Sequence, residues 1–451
     1  MATQHVMSCA VALENNTYSA TDAGGFGNIN PLTGRPTAAS VGASPALSYK
    51  VMEMTREGLT TWGDSQINLR EDETRAGAYL PVPEPVSMQD CSTGVLYEHR
   101  MGDITLDIHL PGIGDATEYS LNEEMPWVQI FRSGMAYTTN ANDPDVLTAG
   151  STQTVLSAAV GGGVKYEVGQ MIAVDQLGQR EVSWVTGITV DAITISPGLR
   201  VAPAAGVIVR FCDNLYLAND PNADVGDSVS LRLNTYDGIT YAFGCRLASF
   251  NINVEEKLVK ATLVLRAAHI EEDRSAPTVP AVDESDGELP HFIGSFGKYT
   301  DNHTGTAAPF GLAGNIMSVD TDTVSINLEN ILAETGYSGD LLSSSDWEVA
   351  DSMATMEFTL GTPVTALDTW LNGRETRMVT FGFGPCGLGN GFGVQMGGAN
   401  ATASTSKRNP ENDLMRQPFQ LRAGIFNGDD DSTAGTNTPF RIGIVNGVPV
   451  P

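Results

Sequence analysis

The residues of this chain that could do chemistry are scattered, and none of their spacings completes a site. Gly382, Gly384 and Gly387 meet the spacing of a dinucleotide fingerprint after the apolar run at 378–381. Such a site needs a helix N-terminus next, to receive the pyrophosphate, whereas residues 388–394 alternate as another strand would. Gly297-Lys298 has Phe292 and Tyr299 where a phosphate loop needs its upstream glycine and its Ser or Thr. Asp220, Asn222, Asp224 and Asp227 suggest a calcium loop, but Val225 replaces the turn glycine and Leu231 the bidentate Glu. Asp429, Asp430 and Asp431 beside Gly428 read as a solvated turn. The six histidines (His5, His99, His109, His269, His291, His303) show no HExxH spacing, and no GxSxG elbow presents a nucleophile. The five cysteines (Cys9, Cys91, Cys212, Cys245, Cys386) are odd in number, far apart and without a CxxC pair. They predict buried free thiols, neither a disulfide framework nor a zinc site. Carboxylates are too numerous for any pair to stand out. The expectation is a protein that is not an enzyme and has no cofactor or metal.

Charge points the same way. Across 451 residues, 25 Lys plus Arg stand against 54 Asp plus Glu, a formal net charge of −29. Binding a duplex requires cations that displace its counterions, so this surface repels nucleic-acid phosphates. No run of about 18 apolar residues exists to cross a bilayer. The start, Met1 to His5, lacks the basic and apolar regions of a secretion signal, which predicts an intracellular product. A 41% hydrophobic content over this length suits roughly two to four domains.

Strand patterning is what the sequence carries in quantity. In residues 228–270, Val229, Leu231 and Leu233 alternate with polar residues up to a hairpin turn at Asp237-Gly238. The return strand places Tyr241, Phe243, Cys245 and Leu247 on one face, then continues its apolar side through Phe250, Ile252 and Val254. That change of phase requires a bulge near Ala248 and Ser249. After Glu255-Glu256-Lys257, Val259 to Ala267 alternate inward, with Lys260, Thr262 and Arg266 outward and Val264 as the outer exception. This meander has one apolar and one largely wet face, and cannot be stable alone.

Elsewhere a strand over 104–110 precedes a short helix. Asn122 is its expected cap, Pro126 sits in its first turn, Trp127, Ile130 and Phe131 pack, and Gly134 ends it. The same order returns with a strand over 356–360 and a helix capped by Thr362, with Pro363 at its start and Gly373 at its end. Leu421-Arg422-Ala423 likewise echoes Leu265-Arg266-Ala267. These echoes predict an internal duplication. Residues 151–211 read as short strands of a small barrel, inserted and displayed outward from the parent domain. Residues 1–45 lack periodicity and read as an arm that orders on contact. Residues 47–51 read as a short strand, and 271–288 as a linker by composition. The stretch 70–96 is longer than loops in compact domains usually are and is stiffened by Pro81, Pro83 and Pro85; it reads as an arm reaching a neighbour or, equally, as a solvent loop.

The strand and helix of residues 103–134, the Gly162-Gly163-Val164 and Ile193-Thr194-Ile195-Ser196-Pro197-Gly198-Leu199 segments, and the meander from Gly244-Cys245-Arg246-Leu247 to Leu265 together resemble the major tail tube proteins of long-tailed bacteriophages. The second half resembles the same domain again, and the likeness covers most of 46–447. It implies a mainly β chain of two antiparallel β-sandwich or barrel tube domains, each with a short helix, plus the inserted module. The expected boundaries are an arm at 1–45, a first domain at 46–275 interrupted by 151–211, a linker at 276–289 and a second domain at 290–451.

The function implied is a structural virion protein of the tail, assembled in the host cytoplasm. Its homo-oligomeric rings, of three or six chains with three favoured, stack into a tube that meets terminator and tail-tip proteins. DNA passes through without specific binding, and no membrane is involved. By position, the ring-stacking loop would carry Glu73, Arg75, Tyr79, Pro81, Pro83 and Pro85. The wet face of the meander, with Arg232, Asn234, Asn251, Asn253, Lys260 and Thr262, would line the lumen or the surface between rings. Two chemical expectations support this picture: an open sheet edge must be paired or covered, which ring closure does, and an acidic lumen lets a polyanion slide. The competing readings are a tail terminator, baseplate ring or capsid decoration protein, and a carbohydrate-binding β protein. The last is disfavoured by a 7% aromatic content.

Overall fold

The structure, a computed structural model, describes residues 6–13, 49–52, 54–62, 66–71, 95–112, 121–140, 142–176, 179–217, 228–235, 238–255, 258–267, 269–273, 296–299, 315–316, 321–335, 346–361, 365–383, 391–404, 407–408, 415–424 and 438–446. Over these residues the chain is mainly β and its strands form a large antiparallel sheet. No described helix is long and apolar enough to cross a membrane. The stacking-loop residues Glu73, Arg75, Tyr79, Pro81, Pro83 and Pro85, the linker at 276–289 and the acidic runs at 220–227 and 429–431 lie outside the described residues.

The first half supplies β1 (Val6–Leu13), β2 (Met54–Trp62), β3 (Val95–His109) and helix α1 (Pro126–Arg132). The inserted stretch includes β4 (Met171–Gln176), β5 (Gln179–Thr189) and β6 (Ile208–Tyr216). Then come β7 (Val229–Thr235), β8 (Ile239–Glu255), β9 (Leu258–Ala267) and β10 (His269–Asp273). The second half supplies β11 (Phe296–Tyr299), β12 (Thr321–Thr335), β13 (Asp346–Leu360) and α2 (Thr365–Gly373). It ends with β14 (Thr376–Phe383), β15 (Phe392–Ser404), β16 (Met415–Arg422) and β17 (Phe440–Val445).

The strands pair by one scheme used twice. In the first half β1 pairs with β7, β7 with β8, β8 with β9 and β10, β9 with β3, and β3 with β2. In the second, β11 pairs with β14, β14 with β15, β15 with β16 and β17, β16 with β13, and β13 with β12. The helix follows β3 in one set and β13 in the other. The sets meet where β8 pairs with β12, from Ser249 opposite Glu329 to Asn253 opposite Ser325. The sheet therefore runs β2, β3, β9, β8, β12, β13, β16, β15 without a break, and one hydrophobic core beneath it takes residues from both halves.

Strand β8 is long enough to serve two layers, and two bulges bend it. The second lies between Leu247 and Ser249, where the change of phase requires it. The first, between the Val229–Cys245 and Leu231–Ala242 pairs, coincides with Gly244 at φ 61, a value that glycine adopts without strain. It corrects the expected face: the main core takes Ala242, Cys245 and Leu247, while Tyr241 and Phe243 stack on each other at 5.9 Å. Strand β9 alternates as expected, with Val259, Ala261, Leu263, Leu265 and Ala267 buried.

Several expectations are corrected. Within the 1–45 arm, residues 6–13 form a full strand: β1 pairs along β7, and Cys9, Ala10, Val11 and Ala12 are buried. Asn122 does not cap α1; Met125 does, with Pro126 next. Asn122 instead donates to Asp213 Oδ2 at 2.7 Å and Asn446 Oδ1 at 2.9 Å, because it begins a separate 3-10 turn, in which its own side chain is the buried one. Trp127 does pack as expected, its Nε1–H donating to the Pro111 carbonyl at 2.9 Å. At the end of α2 the chain reverses at Arg374, φ 53, one residue past Gly373. In the inserted stretch, expected as short strands, residues 179–189 form the single longer strand β5, with an irregularity between Val185 and Gly187.

The inserted stretch has its own small core, including Leu156, Ile172, Ile193 and Phe211. It does not project freely. Its β6 pairs with β17, and its β4–β5 hairpin lies on three glycines of the second half. A Cβ on Gly393 would meet Val182 Cγ1 at 2.7 Å, one on Gly443 would meet Met171 Sδ at 2.3 Å, and one on Gly382 would meet Val182 Cγ2 at 3.4 Å. Glycine in a strand permits this close approach.

Candidate functional site

The side of the long sheet opposite the core gathers the polar side chains of six consecutive strands from β3 to β16. Because side chains alternate along every strand, residues in register across neighbouring strands form rows. One row reads His109, Lys260, Asn253, Ser325, Glu357, Gln420. The next reads Asp107, Thr262, Asn251, Asn327, Thr355, Arg422. A third carries Thr105, Val264, Ser249, Glu329 and Met353.

The rows are stitched by hydrogen bonds. Thr262 Oγ1 donates to Asp107 Oδ1, Asn251 Nδ2 donates to Asn327 Oδ1 and, at 3.2 Å, to Ser325 Oγ, and Gln420 Nε2 donates to Glu357 Oε1. Arg266 clasps Asp103 through two bonds at 2.8 and 3.2 Å, which holds its guanidinium above the ordinary arginine range. Burial, then the neighbouring Lys260, keeps His109 below the ordinary imidazole range and so favours the neutral ring. The centre is thus amide and hydroxyl, with cations and carboxylates set around it. Such a surface binds water well and offers a polyanion no cluster of cations.

Of the six meander residues expected there, Asn251, Asn253, Lys260 and Thr262 share this face. Arg232 and Asn234 do not. They lie on β7, which pairs with β1 away from this face: Arg232 is half-buried, and Asn234 is 0% exposed, donates to Ser8 Oγ at 2.8 Å and accepts from Arg232 Nε at 3.1 Å. Sequence reading missed Ser325, Asn327, Glu357 and Gln420 of the second half. The signal was present, since Val324, Ile326 and Leu328 alternate with Thr323, Ser325, Asn327 and Glu329 as cleanly as β9 does.

No model of a known protein family matches the chain, and no curated protein does. What it does must therefore be read from its own geometry.

A second polar cluster lies where the inserted stretch meets β11. Lys298 is 1% exposed; its Nζ donates to Ser183 Oγ at 2.8 Å and lies 3.5 Å from Glu181 Oε2. Burial pulls this amine down to about 8, while it and Arg200 hold Glu181 below the usual carboxylate range against the opposing effect of burial. The Ser183 to Lys298 distance is that of a nucleophile and its base. Ser183 is 0% exposed, however, with Oγ also 2.9 Å from the Pro197 carbonyl, so no substrate can approach it. Beside it the Arg441 guanidinium lies 3.7 Å from the centre of the Trp184 ring. These groups fasten the inserted stretch to the second half.

The third cluster is centred on Asp213, which accepts from Asn122 Nδ2, from Tyr137 OH at 3.1 Å and from the Asn140 N–H at 2.7 Å. Burial outweighs these bonds and raises the carboxyl above its ordinary range. The cysteines are equally enclosed: Cys9, Cys212 and Cys245 are buried free thiols, as the sequence predicts, and burial raises Cys9 to about 12. Cys91 and Cys386 lie outside the described residues.

Proposed function

We propose that this chain is a structural subunit of a bacteriophage tail tube, in which copies join edge to edge into rings and the rings stack around a channel for DNA. The observation that carries this reading is the β8–β12 junction. One strand-pairing scheme occurs twice, and the two sets are already joined side by side through continued antiparallel pairing. A chain that contains one such join, and whose sheet ends in strands of the same kinds, is suited to repeat the join with further copies.

On this reading the two pairing sets are a duplicated β-sandwich tube domain, and the inserted module sits on the second set. Three chains make a ring of six sets. The polar rows face the lumen or the next ring, and the 70–96 loop reaches between rings. The acidic balance of the chain and the amide-rich face favour passage of DNA over its retention. Tail terminator and tail-tip proteins close the two ends, and the site of action is the virion tail, assembled in the host cytoplasm.

Electron microscopy of the purified protein tests this reading. Long hollow filaments are expected. Isolated rings that never stack would make the chain a terminator, baseplate ring or decoration protein, and monodisperse single chains with affinity for glycans would make it a carbohydrate-binding protein.

A further inference from the structure

We infer that the C-terminal end of β15, residues 401–404, pairs antiparallel with β2 of a second copy of this chain, in the manner of the internal β8–β12 junction. This rests on the ring reading above and specifies which edges meet.

The pairing scheme assigns the equivalences without reference to side chains. Strand β15 holds the place of β8, since each pairs with the strand before it, with the strand that follows it in the long sheet, and with a third strand near its start. Strand β12 holds the place of β2, since each pairs with the strand that leads into the helix. Residues 249–253 of β8 are bonded on both sides, to β9 and to β12. Among the described residues, 401–404 of β15 are bonded on one side only, to β16, and β2 is bonded on one side only, to β3.

The chain thus carries both halves of a junction it already makes once, at opposite ends of one sheet. A strand edge of unpaired N–H and C=O groups is a template for another strand, and natural edges are commonly blunted by proline or lysine. Residues 401–404 contain neither, nor any charge; Met54–Trp62 also contains neither, and its charged pair Arg56-Glu57 falls within the register shift between Met54 and Leu59. The partner is a second copy, because the β8–β12 junction shows that a strand in the place of β2 fits one in the place of β15. It buries Phe250, Ile252, Ile326 and Leu328 beneath while Asn251 bonds Asn327 above. The join is head to tail, so it either closes into a ring or continues as a helix.

Cysteine cross-linking of the full chain tests the pairing. Ala403→Cys is combined in turn with a cysteine at each position from 55 to 61, and the assembled protein is oxidised. The expected result is loss of the single-chain band on a denaturing gel to bands of two and three chains, strongest at alternate positions of the walk. A pairing of Ala403→Cys with Glu272→Cys on β10 serves as control and gives no such bands.

Assembled particles whose cross-links appear with β10, or with neither strand, overturn the edge assignment and leave the ring reading standing. A chain that stays single overturns both. Should the variants fail to fold, hydrogen exchange on the wild-type assembly gives the answer. Residues 401–404 and 54–62 gain protection together on assembly if the pairing is right, and protection gained elsewhere overturns it.

Discussion

Gly443→Ala probes the seating of the inserted stretch on the second half. The new methyl carbon would lie 2.3 Å from Met171 Sδ and 3.0 Å from both its Cβ and Cγ, against about 3.5–4.0 Å for unstrained carbon contacts. The sulfur could swing aside, but the Cβ cannot. Retreat is also blocked, since Gly393, in register with Gly443, is pressed by Val182. Overpacking of this kind costs about 1–3 kcal/mol. Met171→Ala alone removes a fully buried side chain and costs about 2–5 kcal/mol. In the double variant the alanine methyl occupies part of the space the thioether left, so the two costs fall short of their sum by about 1–2 kcal/mol. Urea unfolding of the four proteins at one pH measures this cycle. A neutral Gly443→Ala, or costs that add to within about 0.5 kcal/mol, would show that β4 does not rest on β17.

Lys298→Met tests the buried latch through pH. The folded lysine is held at about 8 against its ordinary 10.5, so between those values the folded chain binds fewer protons than the unfolded one. Stability therefore rises with pH across that window, by on the order of 3 kcal/mol in all. The slope should vanish in Lys298→Met, and a wild type with no rise there would refute the assignment. Asp213→Ala strips the acceptor from Asn122, Tyr137 and the Asn140 N–H; a loss of about 2–4 kcal/mol is expected in denaturant melts. Thr262→Lys with Asn327→Lys adds cations to the polar face. Assembled protein should then retain DNA at low salt and release it as salt rises, whereas the wild type retains none; a wild type that already binds DNA in this salt-dependent way contradicts the proposed lumen. Deleting residues 75–90 should leave single rings and abolish stacking in electron micrographs.

Much of the β8–β9 meander could be read from local alternation, including the bulge at Ala248, because a period-two pattern with one buried face fixes which side chains turn inward. The strand-then-helix units could be read for the same reason. The side-by-side joining of the halves could not: an exposed strand edge carries no mark of which distant strand will cover it, so β12 was as good a partner for a neighbouring chain as for β8. Strand β1 was hidden by its small residues, Ser8, Cys9, Ala10 and Ala12, which pack tightly against β7 yet give a weak pattern. The seating of the inserted stretch did leave a sign, the strand glycines at 382, 393 and 443, whose use as a floor emerges only with Met171 and Val182 above them. In the sequence Lys298 suggests only a phosphate-loop lysine, since nothing local foretells a partner such as Glu181, over a hundred positions away.

In the proposed tube the sheet of one chain is completed by another. Native mass measurement of the purified protein tests it most directly. Species at three times 47.8 kDa, and at multiples of that mass as rings stack, are predicted; a single species at 47.8 kDa that persists as concentration is raised would contradict it.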